Sequence, residues 1–213
     1  MTSNSTENKE TNRGITVVGL TGGIGTGKST AARYLASKGF LHVDADAISR
    51  QITEKKPGEP NPVLEEIGRA FTPDPVLLSD GSLDRGAMAK LVFSDLEKKM
   101  MLEDILFREI IAEIHRQIDT AAKGSRILLD VPLLFESGLD SLCDKTMVLT
   151  AKPEVRIARV MERDGCTQDE VKARIRNQMP EEEKIRRADY VIDNSGTHQE
   201  LTEQLDHFLC SKL

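Results

Sequence analysis

The sequence predicts an α/β protein whose core is a five-stranded parallel sheet flanked by helices. Five short apolar runs have the length and composition of buried parallel strands. Helical patterns separate these runs, and this alternation is what a parallel α/β sheet requires. The predicted strands are Ile15–Leu20, Leu41–Val43, Arg126–Val131, Lys145–Thr150 and Tyr190–Ile192.

Length and composition narrow the class of protein. A chain of 213 residues fits one α/β core with modest insertions. The net charge of −6 argues against general nucleic-acid binding, which usually shows a basic face. No run approaches the ~18 apolar residues of a membrane span. We therefore expect neither a nucleic-acid nor a membrane partner. We expect the folded core to comprise residues 14–213.

The chain begins with 13 polar residues that lack the apolar segment of a secretory signal. We predict that residues 1–13 form a disordered extension. Cys143, Cys166 and Cys210 are far apart and form no C-x-x-C pattern. Reduced thiols in a cytoplasmic protein are the simplest interpretation.

The first predicted strand leads into a G-x-x-x-x-G-K-S pattern, which is typical of a phosphate-binding loop. Its glycines let successive backbone N–H groups turn toward phosphate oxygens, and the following helix adds the partial positive charge of its N-terminus. A glycine-rich turn without a ligand is the alternative, but the strand before the loop and the helix-like segment after it favour a nucleoside triphosphate. The predicted nucleotide-binding residues are Gly22, Gly23, Ile24, Gly25, Thr26, Gly27, Lys28, Ser29 and Thr30.

Two of these residues have more specific predicted roles. Lys28 is expected to reach the β- and γ-phosphates, and the Ser29 hydroxyl is expected to ligate Mg²⁺. A second Mg²⁺ candidate is Asp130, since Ile127-Leu128-Leu129-Asp130 is an apolar strand ending in a carboxylate, the Walker-B pattern.

The second predicted strand is followed by Asp44-Ala45-Asp46. A carboxylate at this edge of the sheet can orient a hydroxyl and accept its proton during phosphoryl transfer. Asp44 also suits the N-cap of the following helix, so capping is an equal alternative for that residue. We assign the catalytic role to Asp46. Arg50 lies one helical turn further, and either a surface ion pair with Asp46 or a substrate phosphate would explain it.

A long segment with helical periodicity separates the second and third strands. We predict helices over residues 62–71, 84–94 and 95–122, and we interpret residues 54–122 as a helical insertion that binds substrate. Residues 160–188 are rich in charge and predict a helical lid that would exclude water from the reaction.

Seven arginines lie in or next to the predicted lid. Guanidinium groups bind phosphate in a forked geometry and offset charge on a transferred phosphoryl group. We choose Arg163 as a catalytic candidate and Arg159 as a nucleotide-binding candidate. Most of the seven are nevertheless expected at the solvated surface. The remaining five are Arg156, Arg174, Arg176, Arg186 and Arg187. After the last strand, Asn194 and Gly196 are expected to border the adenine, although a plain turn would also explain them.

Taken together, these motifs resemble those of the dephospho-CoA kinase family over about residues 15–205. The D-A-D-x-x-x-R pattern combined with V-P-L-L-F-E is far more specific than the phosphate loop alone. The matching stretches are Leu20–Ser29, Asp44–Arg50, Leu83–Phe93, Asp130–Glu136, Arg163–Gly165, Arg174–Gln178 and Ala188–Gly196. The chain departs from the family pattern at Phe107-Arg108, where many members carry His-Pro.

The resemblance implies a P-loop kinase core with a helical CoA-binding domain and a lid. It implies transfer of phosphate from ATP, with Mg²⁺, to the ribose 3′-hydroxyl of dephospho-CoA, the last step of coenzyme A biosynthesis. Asp46 would then be the catalytic base. The residues that the resemblance assigns to the acceptor are Asp44, Asp46, Arg50, Arg85, Pro132, Leu133, Leu134, Phe135 and Glu136. A monomer is expected, with an oligomer left open.

Two other functions are alternatives. A nucleoside or nucleoside-monophosphate kinase would share the architecture and differ in the acceptor. A regulatory GTPase would need a guanine-reading N-K-x-D pattern, which this sequence lacks.

Overall fold

The structure of the protein, a computed structural model, describes residues 14–212. It contains one five-stranded parallel sheet with the strand order β2-β3-β1-β4-β5. The strands are β1 Thr16–Gly22, β2 Phe40–Asp44, β3 Arg126–Asp130, β4 Lys145–Thr150 and β5 Tyr190–Asp193. The predicted fold class is therefore confirmed. The predicted extension over residues 1–13 lies outside the described residues.

Nine α-helices lie within residues 14–212, together with a short 3₁₀ helix at Leu139–Leu142. Their bounds are α1 Lys28–Ser37, α2 Ala45–Ile52, α3 Pro62–Ala70, α4 Arg85–Ser94, α5 Leu96–Asp119, α6 Pro153–Asp164, α7 Gln168–Arg176, α8 Glu181–Arg187 and α9 His198–Lys212. None of these helices is both long enough and apolar enough to cross a bilayer.

The strands differ from the predicted runs mainly at their ends and at the sheet edges. β1 begins at Thr16, not Ile15, and continues through Gly22 into the glycine-rich loop. The expectation that all five strands are buried is wrong for β2 and β5, because both are edge strands. Leu41 on β2 is 47% exposed and Val191 on β5 is 45% exposed.

The chain forms two compact units. The first comprises the residues up to Val43 and those from Ala121 onward, and it contains the sheet except for the last residue of β2. Its main core lies between one face of the sheet and helices α1 and α9. The buried residues of this core are Val18, Leu20, Ala31, Ala32, Leu35, Phe40, Leu128, Met147, Leu149, Ile192, Leu201, Leu205 and Phe208.

The second unit, Asp44–Thr120, is helical and contains α2 to α5. Its apolar cluster includes Val63, Ile67 and Phe71 from α3 and its C-cap, and Met88 and Ile105 from the next two helices. Four N-caps define where its helices begin. The side chains of Asp44, Asn61, Asp84 and Asp95 each accept a hydrogen bond from a backbone N–H of the helix that follows. An oxygen at the N-cap pairs one of the otherwise unpaired N–H groups and fixes the helix start.

The outer edge of the sheet at β5 is covered by a side chain of α9. The backbone N–H of Asp193 donates to Gln204 Oε1 at 3.1 Å, and Gln204 Nε2 donates to the Asp193 carbonyl at 2.8 Å. The amide of Gln204 thus takes both backbone groups that Asp193 turns away from β4.

Candidate active site

The loop between β1 and α1 has the backbone of a phosphate-binding loop. Gly25 and Gly27 have φ angles of 81° and 87°, in the left-handed region that favours glycine. Helix α1 begins at Lys28, and the Thr30 N–H donates to the Gly27 carbonyl at 2.9 Å. The Thr26 hydroxyl donates to the Gly23 carbonyl at 2.8 Å, which braces the turn from within.

Side chains from three other segments hold this loop from outside. Asn194 Nδ2 donates to the Thr26 carbonyl at 2.8 Å, and a Cβ on Gly27 would lie 2.2 Å from that nitrogen. The Ile24 N–H donates to Gln178 Oε1 at 3.0 Å, while Arg156 Nε donates to the Ile24 carbonyl at 2.9 Å. The loop is therefore held in place by its neighbours as well as by its own glycines.

Arg159, a predicted nucleotide-binding residue, has an unusual environment. Its Nη1 is buried and, among the described residues, makes no hydrogen bond. This nitrogen lies 3.9 Å from the position that a Cβ on Gly27 would take, so it is close to the loop. A buried guanidinium donor without a partner is costly in a folded protein unless a ligand supplies the acceptor.

Lys28 and Asp130, both predicted from the sequence, lie together. Lys28 Nζ contacts Asp130 Oδ1, and His42 Nε2 lies 3.1 Å from Asp130 Oδ2. Asp130 is 3% exposed, while Ser29 lies exposed in the first turn of α1. His42 is not among the predicted site residues. Nothing in the local sequence of β2 indicates that its side chain would contact Asp130.

The lid arginines occupy several different environments. Arg163 is 62% exposed in its side chain, and its Nε donates to Asp164 Oδ1 at 2.7 Å. Arg174 Nη1 also binds Asp164, at 2.8 Å. The hydrogen bond from Arg163, with further help from Arg174, lowers the pKa of the Asp164 carboxyl. Arg163, the predicted catalytic arginine, is thus engaged by a carboxylate in this structure.

Arg156 is placed differently from the surface position that was expected for most of these arginines. It is 5% exposed, and besides the Ile24 carbonyl it binds Glu181 Oε1 at 2.9 Å. The two arginines of α8 also have acidic neighbours. Arg186 contacts Glu183, and Arg187 Nη2 lies 3.2 Å from Asp140 Oδ2. Arg176 lines a cavity of about 310 Å³ with Gly23 and Gln178.

The acidic residues at the junction of β2 and α2 have distinct surroundings within the helical unit. Asp44 is the N-cap of α2, with its Oδ1 accepting from the Ala47 N–H at 3.0 Å. Asp46 and Arg50 are exposed, and within the described chain no ion pair joins them. Arg85 donates to the Thr53 hydroxyl at 3.2 Å, which ties the start of α4 to the C-cap of α2.

The predicted acceptor segment, residues 132–136, follows β3. Leu133 is 49% exposed, whereas Leu134 and Phe135 are buried. A Cβ on Gly19 would lie 2.8 Å from Leu134, so this leucine packs against β1. Only some of the segment's side chains are therefore open to a ligand.

Asn194 and Gly196 were predicted beside the adenine. Asn194 contacts the phosphate loop, as described above, and Gly196 lines a cavity of about 890 Å³ between β5 and α9. This larger cavity includes Lys152 and Ser195 but no phosphate-loop residue. A ligand bound to the phosphate loop would therefore not contact the loop from within this cavity.

The sequence of this chain matches the model of one protein family over residues 16–200, and that family is described as dephospho-CoA kinase. The matched range contains the phosphate loop, the whole helical unit and the segment after β3. The chain belongs to the dephospho-CoA kinase family. Membership in this family explains why these motifs occur together in one chain.

Individual relatives agree with the family match. A dephospho-CoA kinase of Carboxydothermus hydrogenoformans is 42% identical over 195 residues, covering 90% of this chain and 91% of the relative. A solved protein structure from Thermus thermophilus has a TM-score of 0.76 at 37% identity, covering 93% of this chain and 98% of that chain. The solved dephospho-CoA kinase of Campylobacter jejuni has a TM-score of 0.64 at 26% identity, with coverages of 91% and 97%.

The departure from the family pattern at Phe107-Arg108 falls inside α5, which continues unbroken from Leu96 to Asp119. Arg108 Nη2 donates to both carboxylate oxygens of Glu66, at 2.7 and 2.6 Å. Arg108 therefore links α5 to α3.

Proposed function

We propose that this chain transfers the γ-phosphoryl group of ATP to the ribose 3′-hydroxyl of dephospho-CoA, giving CoA and ADP. The observation that carries the proposal is the family match over residues 16–200, which covers the phosphate loop and the helical unit together. Its chemistry agrees with the site, because transfer of a phosphoryl group depends on positioning and charge stabilisation more than on covalent catalysis.

ATP would bind with its phosphates on the loop from Gly22 to Thr30. The backbone N–H groups and Lys28 would contact the β- and γ-phosphates. Arg159 would place its unpartnered Nη1 on the nucleotide, because a phosphate or ribose oxygen supplies the acceptor that the protein does not. Asn194 would hold the loop in shape, and Gly196 would border the adenine.

The donors near the loop fit a magnesium ion. Carboxylate and hydroxyl oxygens are the hard ligands that Mg²⁺ prefers, and Asp130 and Ser29 offer one of each. We propose that these two residues hold Mg²⁺, Asp130 directly or through water. Bound Mg²⁺ would supply charge neutralisation on the β- and γ-phosphate oxygens.

Asp46 would act as the base for the acceptor hydroxyl. Its carboxylate is exposed and has no ion-pair partner among the described residues, so it is available to a substrate. Asp44 is used as the cap of α2, which favours Asp46 for the proton-accepting role. Arg50 and Arg85 belong to the same helical unit and would bind anionic groups of dephospho-CoA.

The helical insertion over residues 54–122 would bind the CoA part of the acceptor, and the lid over 160–188 would close over the nucleotide. Arg163 would then exchange Asp164 for the transferring phosphoryl group, and Pro132 to Glu136 would border the acceptor. We further propose that the protein works as a monomer. We also propose that it is located in the cytoplasm, because three free cysteines are typical of a reducing compartment.

The test is a coupled assay of ADP release by the purified protein with MgATP and a panel of acceptors. Of these acceptors, only dephospho-CoA should support turnover, and the amount of CoA formed should equal the amount of ADP released. Turnover with a nucleoside or nucleoside monophosphate would keep the nucleotide site but overturn the acceptor. ADP release without any acceptor would contradict a water-excluding lid.

A further inference from the structure

Lys184 is the most deeply buried charged side chain of the described chain that the catalytic proposal does not use. It lies on α8 and is 1% exposed. Its Nζ lies 2.8 Å from Glu136 Oε1 and 3.3 Å from the Pro132 carbonyl oxygen. Lysine is almost never fully buried unless it is paired, so this position demands both acceptors.

Both acceptors belong to the segment after β3 that is proposed to border the acceptor substrate. The Pro132 carbonyl also accepts from the Thr21 hydroxyl of β1, at 2.9 Å. Glu136 is the last residue of the segment, so Lys184 holds it at its first and last residues. Three residues further along α8, Arg187 lies over the Phe135 ring at 4.7 Å.

The opposite end of α8 is linked to the phosphate loop. Glu181, the first residue of the helix, binds Arg156 Nη1 at 2.9 Å, and Arg156 Nε binds the Ile24 carbonyl at 2.9 Å. A single helix of seven residues is therefore bonded at its first residue toward the nucleotide loop and at its middle residue, Lys184, to the acceptor segment. All of these residues belong to the unit that contains the sheet.

We propose that Lys184 is a positioning residue that fixes the acceptor segment 132–136 relative to the phosphate loop through Glu136 and the Pro132 carbonyl. The proposal rests on the proposed function, because it assigns Lys184 an effect on the dephospho-CoA side of that reaction. Phosphoryl transfer is sensitive to small misplacements of the reacting groups, and residues that lock a site's geometry influence rate without touching substrate.

The proposal predicts which kinetic parameter responds. Removing the amine leaves Glu136 and the Pro132 carbonyl without their shared donor, so the segment loosens while the nucleotide loop keeps its other contacts. Lys184→Met should raise the KM for dephospho-CoA about tenfold or more, with the KM for MgATP changed less than about twofold. A purely structural lysine would instead lower the melting temperature and the active fraction, leaving both KM values unchanged.

A double-mutant cycle tests whether Lys184 acts through Glu136. The variants are Lys184→Met, Glu136→Gln and the pair together, measured as kcat/KM for dephospho-CoA. If the two side chains act as one contact, the double variant should be no worse than the more affected single variant. Additive losses would overturn the proposed route. The matched control is Lys123→Met, which changes an exposed lysine outside both the proposed lid and the helical insertion, and it should behave as wild type.

A second measurement does not depend on activity. Amide hydrogen exchange over residues 131–138 should be faster in Lys184→Met than in wild type without substrates, and unchanged in Lys123→Met. Unchanged exchange in Lys184→Met overturns the positioning role. If wild-type protein fails to phosphorylate dephospho-CoA, the proposed function falls, and the exchange result alone then decides the role of Lys184.

Discussion

Asp44, the last residue of β2, and Asp46, in the first turn of α2, differ in what surrounds them, although a single alanine separates them. Asp44 accepts the Ala47 N–H and fixes the start of α2. Asp46, in the first turn of the helix, is exposed and makes no ion pair within the described residues. The sequence offers both as candidates, and the structure gives a capping role to Asp44.

This difference makes Asp46→Asn and Asp44→Asn a matched pair. The amide introduced by Asp46→Asn would keep the size of the side chain but could not accept a proton, so turnover should fall by about 10²–10⁴-fold. Asparagine is as good an N-cap as aspartate, so Asp44→Asn should keep α2 and most of the activity. Steady-state kinetics and thermal melts of both variants provide the measurement, and equal losses would remove the distinction between the two residues.

Cys143 allows a prediction about reactivity at the scale of one side chain. Burial raises the pKa of its thiol to about 12, with smaller contributions from Asp140, Asp144 and Asp189. At pH 8 the thiolate should therefore amount to about 1 part in 10⁴ of this thiol. Cys210, by contrast, is exposed.

Iodoacetamide at pH 8 should therefore modify Cys210 first, and Cys143 only after denaturation. Mass spectrometry of peptides from native and denatured protein measures both sites, with Cys210→Ser as the control. Rapid labelling of Cys143 in the native protein would contradict its burial.

The raised pKa of the Cys143 thiol also has a consequence for the stability of the fold. The unfolded thiol ionises near its ordinary pKa of 9.0, so stability from this group is full below about pH 9 and is lost as pH rises toward 12.

At the scale of elements, the glycine-rich loop is fixed in two ways, by its own glycines and by side chains from distant segments. The loop's course follows from glycine positions that the sequence displays directly. The outer supports, Arg156, Gln178 and Asn194, come from segments more than a hundred residues away. No local pattern reports such contacts, because they arise only when β4, β5 and the connecting helices are in place.

Gly27 and Gly39 provide a matched test of the loop. Both have positive φ angles, 87° and 92°, so alanine is strained at either site by about 1–2 kcal/mol. A Cβ at Gly39 would meet its nearest atom at 3.6 Å, whereas at Gly27 it would lie 2.2 Å from Asn194 Nδ2. Gly27→Ala should therefore also displace Asn194 from the loop.

The expected result is that Gly39→Ala loses only stability, while Gly27→Ala also raises the KM for MgATP at least tenfold. Denaturant melts and steady-state kinetics separate the two effects. An unchanged KM in Gly27→Ala would mean that the contact with Asn194 does not shape the nucleotide site.

At the scale of the whole molecule, the chain divides into a sheet unit and a helical unit, Asp44–Thr120. The phosphate loop, Asp130 and Arg159 all lie in the sheet unit, so binding of MgATP should stabilise that unit directly. At about a hundredfold excess over Kd, linkage contributes ~2.7 kcal/mol, equivalent to a rise in Tm of about 5–10 °C for a protein of this size.

Calorimetry of the intact protein with and without MgATP measures this shift. Lys28→Ala should lose most of it, since the variant lacks the amine that is proposed to contact the β- and γ-phosphates, while Lys123→Ala should retain it. A Tm that MgATP leaves unchanged in wild-type protein would contradict nucleotide binding at the loop.

Much of the architecture could be predicted from the sequence, because short apolar runs and helical periodicity report burial directly. The strand order and the edge positions of β2 and β5 could not, since hydrogen bonding between distant segments decides them. The same division applies to the candidate site. Lys28 and Asp130 belong to motifs, whereas the links from Lys184 to Glu136 and from Arg156 to Ile24 depend on tertiary packing.

The contact between Gln204 and the backbone of Asp193 has a consequence for the protein's behaviour at high concentration. An uncovered edge strand is a template on which a second chain can add a strand, which is a route to aggregation. By occupying both outward groups of Asp193, Gln204 blocks growth of the sheet at that residue. A single side chain of α9 thus helps to keep the enzyme from assembling edge to edge.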